Sequence, residues 1–174
     1  NHIFEAANNH IPGYLGLTSG AAHLIASFGS DWLKQTFIPP MLAGKWGGTM
    51  ALTEPQAGSS LSDITTSAMP QQDGQYKIKG QKIFISGGAH EAVDNFVHLT
   101  LARIEGAPEG TKGISLFVVP KYKPNGDTSE YNDVRAVADF QKLGQRGYST
   151  VHLVYGEQDD CIGYLVGEPN QGLK

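Results

Sequence analysis

The chain has 174 residues, of which 40% are hydrophobic and 17% charged, and its formal net charge is −4. This length suits one globular domain, or one domain with part of another, and the composition excludes an intrinsically disordered chain. The negative balance gives no broad basic field, so we expect neither nucleic acid nor an acidic membrane surface as a partner. No apolar run approaches the length of a membrane span.

Cysteine and histidine usage excludes two further kinds of site. The single cysteine, Cys161, leaves no internal disulfide and no cysteine-based zinc site, and it fits a reducing, cytoplasmic location. The six histidines are scattered without metal-ligand spacing, so we expect no metal site. No signal sequence opens the chain, and the first residue falls within a pattern already under way, which predicts that the protein's N-terminus lies elsewhere.

The first part of the chain has a helical pattern. Apolar residues recur at steps of three and four over residues 14–28, which predicts a helix with one buried face that ends at Gly29. Ser30 is a good N-cap for a second helix, and the Pro39-Pro40 pair is expected to end it. Two such helices are too small to fold alone, so residues 1–44 are predicted to be the C-terminal part of a larger helical domain.

Beyond Gly44 the pattern becomes that of a β-sheet, because turn residues now recur at short intervals between alternating segments. Asp73-Gly74 tolerates the positive φ of a tight turn and predicts a hairpin between strands at residues 65–69 and 76–86. We therefore predict a mainly β fold over residues 45–174, preceded by the short helical hairpin.

The remaining segments complete the predicted sheet. The apolar run at residues 114–119 is nearly continuous, so that strand should be buried on both faces. Further strands are predicted at residues 95–104, 134–143 and 148–155. Residues 122–131, with the turn Pro124-Asn125-Gly126, are expected to form a surface loop, and residues 163–172 an extended exit loop.

Residues 49–59 combine a strand with a tight loop that could approach a ligand. Alternation along a strand predicts that one face carries Thr49, Ala51 and Thr53 and that the other face carries Met50 and Leu52. Pro55 lacks an N–H and stops the strand, Gly58 has no side chain to hold a ligand off the backbone, and Ser59 adds a hydroxyl donor. Such a loop suits an anionic ligand. An ordinary turn is the alternative reading.

The end of the strand at residues 76–86 offers a second candidate surface. Gly80 is expected to form a bulge or bend. Beyond it, alternation predicts that Ile83 and Ile85 share one face, and that the opposite face carries Lys82, Phe84 and Ser86. An aromatic plane beside a hydroxyl could form the wall of a site for a flat heterocycle, whereas an exposed face ending in a turn is the alternative.

Several familiar catalytic motifs are missing. The chain has no Gly-x-Ser-x-Gly elbow, no Walker loop and no Gly-x-Gly-x-x-Gly fingerprint. No residue is evident as a general base, and Glu54, at the loop entrance, is expected to accept backbone or arginine hydrogen bonds. Arg146, between two glycines, could contact a phosphate or lie on the surface as an ordinary turn residue.

Four segments in the same order resemble the acyl-CoA dehydrogenase family: MALTEPQAGS at residues 50–59, IKGQKIFISGG at 78–88, KLGQR at 142–146 and LVGEPNQG at 165–172. The resemblance covers nearly all of the chain, as the end of an N-terminal helical domain and a whole middle domain. It implies that residues 45–174 form that domain as an antiparallel β-barrel or sandwich. Residues 87–121 are similar to the branch that includes the 3-methylmercaptopropionyl-CoA dehydrogenases, and more weakly to the acyl-CoA oxidases.

The resemblance implies an FAD site on this chain. In the family, the residues matching Leu52, Thr53, Phe84 and Ser86 lie against the flavin ring, and those matching Gly58 and Ser59 lie by the FAD pyrophosphate and the acyl-CoA. Ser59 is thus also the implied substrate contact. The chain departs from the family pattern at Met50, Gln56, Ser60 and Gly87, which affects the expected CoA contacts and chain-length preference.

The family reaction removes an α-proton from an acyl-CoA while a hydride passes from the β-carbon to FAD, which gives a trans-2-enoyl-CoA. The family's glutamate base lies in a C-terminal helical domain that this chain lacks, so the resemblance implies no catalytic residue here. We expect a fragment that folds without firmly retaining FAD. The implied partners of the full-length protein are an acyl-CoA, electron-transfer flavoprotein or a similar acceptor, and further copies in a homo-oligomer. Two alternatives are an acyl-CoA oxidase and a non-catalytic β-barrel binding module.

Overall fold

The computed structural model describes residues 2–124 and 130–173. Within them, the helices are α1 (His2–Ala7), α2 (Ile11–Phe28) and α3 (Asp31–Leu42). The strands that follow are β1 (Trp46–Ala51), β2 (Ser67–Pro70), β3 (Tyr76–Ser86), β4 (Asn95–Ile104), β5 (Ile114–Pro120), β6 (Val134–Asp139), β7 (Thr150–Tyr155) and β8 (Ile162–Val166). None of the described helices is long and apolar enough to cross a membrane.

The helical hairpin forms where the sequence predicts it, with one difference. Ser30 caps α3 by accepting a hydrogen bond from the Leu33 N–H at 3.3 Å. The prediction that Pro39-Pro40 ends this helix is wrong, because α3 continues beyond both prolines. Proline removes an N–H but keeps its carbonyl, and the two carbonyls accept bonds from Ala43 and Lys45 at 3.0 Å. The buried Met41 holds this last turn against the core.

The strands form one mixed, barrel-like sheet. Its order is β1-β4-β5-β8-β3-β7-β6, and β2 pairs with both β3 and β4, so β4, β5, β8, β3 and β2 close into a ring. The prediction of an antiparallel sheet is corrected at two pairs, because β1 and β2 both run parallel to β4. A long connection separates β1 from β4, which lets the chain return in the same direction, whereas short connections produce the antiparallel pairs.

Several strand predictions are confirmed, and one loop prediction is wrong. The strand at residues 95–104 is β4, and the strand starting at 114 is β5, which is buried throughout. The expected exit loop instead contains β8, between β5 and β3. A strand buried on both faces needs a partner along each edge, and β8 supplies the second partner of β5. Of the turn predicted at Pro124-Asn125-Gly126, the last two residues lie outside the described part of the chain.

The core consists of two apolar clusters on opposite faces of β4. Val97, Leu99 and Leu101 face the helices and belong to a cluster with Ile25 and Phe37. The second cluster fills the barrel and includes Ala102 of the same strand with Ile78, Phe117, Leu153 and Tyr155. Because β4 alternates between the two clusters, it joins the helical hairpin to the barrel and fixes where β1 and its loop emerge.

Candidate functional site

The loop after β1 lies against the end of β3. The Thr53 carbonyl accepts a hydrogen bond from the Ile83 N–H at 2.9 Å. Glu54 and Ala57 exchange two backbone hydrogen bonds, of 2.8 and 3.0 Å, which fold the loop into a tight turn. A Cβ built on Gly58 would lie 3.7 Å from Thr53 Cγ2, so the turn brings Gly58 back beside Thr53. Ser59 follows it and is exposed.

Phe84 projects outward from β3 because the strand is irregular at this residue. Its φ is +58°, a backbone conformation that L-residues rarely adopt, and the pairing of β3 with β7 shifts register between Lys82 and Ile85. The Phe84 side chain is 57% exposed. Its ring packs on the ring of Phe140, with centroids 4.7 Å apart and planes inclined by 45°. Phe140 therefore supports an aromatic surface that faces outward.

The same irregularity corrects the predicted faces of β3. Lys82 was expected to share a face with Phe84 and Ser86, but Lys82 is fully buried, as is Ile85. Alternation carries across a strand only while its φ values stay extended, and the left-handed residue at position 84 breaks the sequence of faces. Ser86 returns to regular pairing opposite Thr150 and is half-buried.

The structure thus brings together two segments with four of the predicted site residues. Leu52 and Thr53 are half-buried at the end of the first segment, and the second segment beside them carries Phe84 and Ser86. Among the described residues, no side chain or backbone group hydrogen-bonds the Ser86 hydroxyl. We call Leu52, Thr53, Phe84 and Ser86 the ring wall. Gly58 lies at its edge, and Ser59 is exposed in the loop beyond.

A buried ion pair lies directly behind the ring wall. Lys82 Nζ is 2.7 Å from Glu54 Oε1, and the two side chains are 0% and 1% exposed. Glu54 also accepts the backbone N–H groups of Thr65 at 2.7 Å and Thr66 at 3.1 Å. The prediction that Glu54 accepts backbone hydrogen bonds is confirmed, whereas its cationic partner is a lysine and not an arginine.

The Glu54 carboxylate is ionised at neutral pH. Burial alone raises the pKa of Glu54, but the hydrogen bonds from Lys82, Thr65 and Thr66 outweigh it and bring the pKa down to about 2. Burial lowers the pKa of Lys82, although the neighbouring carboxylate opposes this. The negative charge of Glu54 is stabilised by five hydrogen bonds, which come from Lys82, Gln56, Thr66 and both donors of Thr65. Glu54 is therefore a structural carboxylate.

An apolar groove of about 690 Å³ runs between α2 and the segment after β3. Ile11, Leu15 and Ala22 of α2 form one side, and residues 90–93 form the other. One groove residue lies near the end of β3, because a Cβ built on Gly87, next to Ser86, would lie 3.5 Å from the ring of Tyr14. No sequence pattern predicts this groove, because its two sides are distant along the chain.

Two further predictions concerned a phosphate contact at Arg146 and the absence of a metal site. Arg146 is exposed, and its Nε donates a hydrogen bond to the Lys142 carbonyl at 3.0 Å. In residues 2–124 and 130–173, no group of three or more His, Cys, Asp or Glu side chains could hold a metal ion. The sequence analysis did not predict that Lys82 points inward or that the ring of Phe140 supports that of Phe84. An aromatic residue in a predicted strand was the only signal for Phe140.

Comparison with known proteins identifies the family. The model of the acyl-CoA dehydrogenase middle domain matches residues 49–157. A 3-methylmercaptopropionyl-CoA dehydrogenase from Ruegeria pomeroyi is 48% identical over 160 residues, which cover 91% of this chain and 27% of that protein. A butyryl-CoA dehydrogenase from Syntrophomonas wolfei is 44% identical over 155 residues, or 87% of this chain and 25% of that protein. The chain thus spans about a quarter of the length of these relatives.

Solved structures give the same family. A probable acyl-CoA dehydrogenase from Mycobacterium abscessus superimposes with a TM-score of 0.75 at 28% identity, over 94% of this chain and 40% of that one. The butyryl-CoA dehydrogenase from Megasphaera elsdenii gives a TM-score of 0.69 at 27% identity, over 92% and 38% of the two chains. The chain belongs to the acyl-CoA dehydrogenase family, and its residues 49–157 match the model of the family's middle domain.

Proposed function

We propose that the full-length protein containing this chain is an FAD-dependent acyl-CoA dehydrogenase, which oxidises an acyl-CoA to the trans-2-enoyl-CoA. The observation that carries the proposal is the ring wall, where an outward aromatic surface and a hydroxyl that no described residue hydrogen-bonds lie beside the loop after β1. Membership of the family and relatives named for acyl-CoA dehydrogenation support it.

The residues of the ring wall fit a flavin. A flat, largely apolar ring system needs an aromatic or aliphatic surface to stack on and a few polar groups at its edge. Phe84, supported by Phe140, offers the first, and the hydroxyl of Ser86 offers the second. A residue held at a φ of +58° also costs stability, which is typical of positions kept for function.

Each residue of the site then has a proposed role. Leu52, Thr53, Phe84 and Ser86 hold the flavin ring, with Thr53 and Ser86 as hydrogen-bonding partners at its edge. Gly58 lets the pyrophosphate approach the backbone, and Ser59 contacts both the pyrophosphate and the acyl-CoA. When bound, FAD supplies the acceptor for the hydride that leaves the β-carbon of the substrate.

We propose that the apolar groove holds the acyl chain. Its walls are mainly aliphatic and aromatic, and its volume of about 690 Å³ lies within the range of small-molecule sites. Burying a hydrocarbon chain there releases water from both surfaces, at about 0.8 kcal/mol for each CH₂ group. Tyr14 of the groove lies near Gly87, which follows Ser86 of the ring wall, so a chain in the groove would extend away from the site of oxidation.

The domain division, the catalytic base, the electron acceptor and the oligomeric state are proposed for the full-length protein. We propose a division into an N-terminal helical part, residues 1–44, and a middle domain, residues 45–174, with the glutamate base supplied from outside this chain. Electron-transfer flavoprotein or a similar acceptor reoxidises the flavin. A solved structure of the electron-transferring flavoprotein of Acidaminococcus fermentans contains a chain that is 28% identical to this one. A homo-oligomer in the cytoplasm completes the proposal.

The test is to express the full-length protein and measure bleaching of the flavin absorbance with a panel of acyl-CoA thioesters. We expect a bound flavin that bleaches anaerobically with at least one thioester. Peroxide formation in air at the rate of bleaching would instead identify an acyl-CoA oxidase. A protein without flavin that responds to no thioester would contradict the proposal and leave the non-catalytic binding module.

A further inference from the structure

We infer that the buried pair Glu54–Lys82 is a positioning device for the ring wall, and that Lys82 in particular sets where Thr53 and Phe84 lie relative to each other. The inference deepens the proposed function and rests on it where flavin binding is concerned. It assigns a role to two residues that touch neither the flavin nor the substrate in the proposed site.

Lys82 connects both halves of the ring wall. Its Nζ donates to Glu54 Oε1 at 2.7 Å and to the Leu52 carbonyl at 3.0 Å, on either side of Thr53. The next residue, Ile83, donates its N–H to the Thr53 carbonyl at 2.9 Å. Three consecutive residues of the loop, 52–54, are therefore held by residues 82 and 83, immediately before Phe84.

Glu54 anchors this arrangement to a further part of the fold. Its Oε2 accepts from the Thr65 N–H and from Gln56 Nε2, both at 2.7 Å, and its Oε1 accepts from the Thr66 N–H at 3.1 Å. The segment at residues 65–66 leads directly into β2. Through one carboxylate, the loop after β1, the start of β2 and the irregular part of β3 share a fixed geometry.

The position of the ion pair matches the strain in β3. Phe84 lies between Lys82, which is held by the ion pair, and Ile85, which is buried and paired with Val151. A left-handed φ at a phenylalanine persists only where its neighbours on both sides are fixed. The ion pair supplies the constraint on the N-terminal side, and the β7 pairing supplies it on the C-terminal side.

Stability alone is a poor reason for such a pair. Two charges lose their hydration on burial, and well-packed apolar residues often replace a buried ion pair without loss of stability. An apolar residue in place of Lys82, however, cannot donate hydrogen bonds to the Leu52 carbonyl and to the side chain at position 54. The directional bonds are therefore the property that substitution would remove.

The experiment compares three forms of the full-length protein: the parent, the double variant Glu54→Gln/Lys82→Met, and the control Lys77→Met. Lys77 lies on the same strand and pairs with Asp159 at 2.9 Å, but that pair is solvent-exposed and distant from Phe84 in the strand. For each form we measure the Tm, the Kd for FAD after flavin removal, and the hydrogen-exchange rate of the Ile83 amide in the flavin-free protein. The kcat and KM for an acyl-CoA are measured on the flavin-loaded protein.

A positioning role predicts a double variant with a Tm close to that of the parent, a Kd for FAD raised at least tenfold, and an Ile83 amide that exchanges at least tenfold faster. The control should have a Tm close to that of the parent, and its Kd for FAD and Ile83 exchange rate should each differ from the parent's by less than twofold. For the acyl-CoA, kcat should fall more than KM changes. A double variant that keeps the parent Kd and the parent Ile83 exchange rate would overturn the inference.

Two further results are decided by the same design. If the double variant does not fold, Lys82→Arg takes its place, because arginine keeps the charge but places its donors differently; parent-like Kd and Ile83 exchange in that variant overturn the inference. If the parent itself binds no FAD, the proposed function fails, and the Ile83 exchange rate alone then decides whether the pair positions the loop.

Discussion

The rings of Tyr14 and Tyr148 meet edge to face, with centroids 4.5 Å apart, across the junction between α2 and the barrel. Each hydroxyl donates to the backbone of the opposite segment: Tyr14 to the Gly147 carbonyl at 3.3 Å and Tyr148 to the Gly13 carbonyl at 3.0 Å. The helical hairpin is thus docked by reciprocal contacts beside the groove and the ring wall.

Removing one of these hydroxyls should loosen the junction measurably. Tyr148→Phe keeps the ring but loses the bond to the Gly13 carbonyl, so we expect the free energy of unfolding to fall by about 0.5–1.5 kcal/mol. Tyr164→Phe is the control, because no described residue hydrogen-bonds the Tyr164 hydroxyl. Urea denaturation measures both, and equal losses in the two variants would contradict the role of the Tyr148 hydroxyl.

Gly48 fixes how closely α2 and α3 approach β1. A Cβ at this position would lie 2.7 Å from Ala21 Cβ, 2.9 Å from Met41 Cε and 3.0 Å from Thr18 Cα. We expect Gly48→Ala to destabilise the chain by about 1–3 kcal/mol through overpacking. Gly20→Ala, in α2 with no atom within 4 Å of its Cβ, should instead stabilise by about 0.5–1 kcal/mol. Thermal unfolding of both variants checks the opposite signs.

The sequence was sufficient where local pattern alone decides structure. The Ser30 cap, the uninterrupted apolar strand at β5 and the Asp73-Gly74 hairpin depend on residues close to each other in the chain, and all three are found in the structure. The parallel pairing of β1 with β4 and the strand β8 depend on partners far along the chain, which periodicity does not identify.

Sequence patterns singled out the two segments of the ring wall but not the contacts that support them. The two segments of the ring wall were expected from the loop after β1 and from the aromatic and hydroxyl residues near the end of β3. The inward Lys82 was not, because the alternation rule assumes an extended strand, whereas Phe84 has a φ of +58°. The groove and the contact with Phe140 arise only when distant segments pack together.

Phe140 should influence flavin binding without touching the pyrophosphate or the substrate. Its ring supports that of Phe84, and aromatic pairs contribute about 0.5–1.5 kcal/mol beyond their buried area. In the full-length protein, Phe140→Leu is therefore expected to raise the Kd for FAD about three- to tenfold. The control is Phe4→Leu, at a phenylalanine of similar exposure to Phe84 that lies in α1. Fluorescence titration with FAD measures both, and an unchanged Kd in Phe140→Leu would remove Phe140 from the site.

His98 gives the chain a characteristic dependence on pH. The ring is buried within the sheet, and its Nδ1 is 2.8 Å from the hydroxyl of Thr49 on β1. Burial, together with the nearby charge of Lys121, lowers the pKa of His98 to about 3 from an ordinary value of 6.5. The folded protein keeps this imidazole neutral, whereas the unfolded chain binds a proton below pH 6.5.

The sign of the effect follows from that difference. Because the unfolded state binds more protons than the folded state between pH 6.5 and 3, the free energy of unfolding decreases as the pH falls through this range. Between pH 6.5 and 5 the loss due to His98 should be about 2 kcal/mol. Burial also lowers the pKa of His90, which adds a contribution of the same sign.

Urea denaturation at pH 7, 6 and 5 tests this prediction with three variants. His98→Gln should remove most of the decrease in stability and His90→Gln a smaller part. His23→Gln, at an exposed helical position, is the control. The comparison uses the change with pH and not the absolute stability, because His98→Gln also alters packing around Thr49. Glu54 contributes mainly below pH 4.5, since its pKa is held at about 2, so the range above pH 5 isolates the histidines. A His98→Gln variant that loses stability with falling pH as steeply as the parent would show that another group binds the proton.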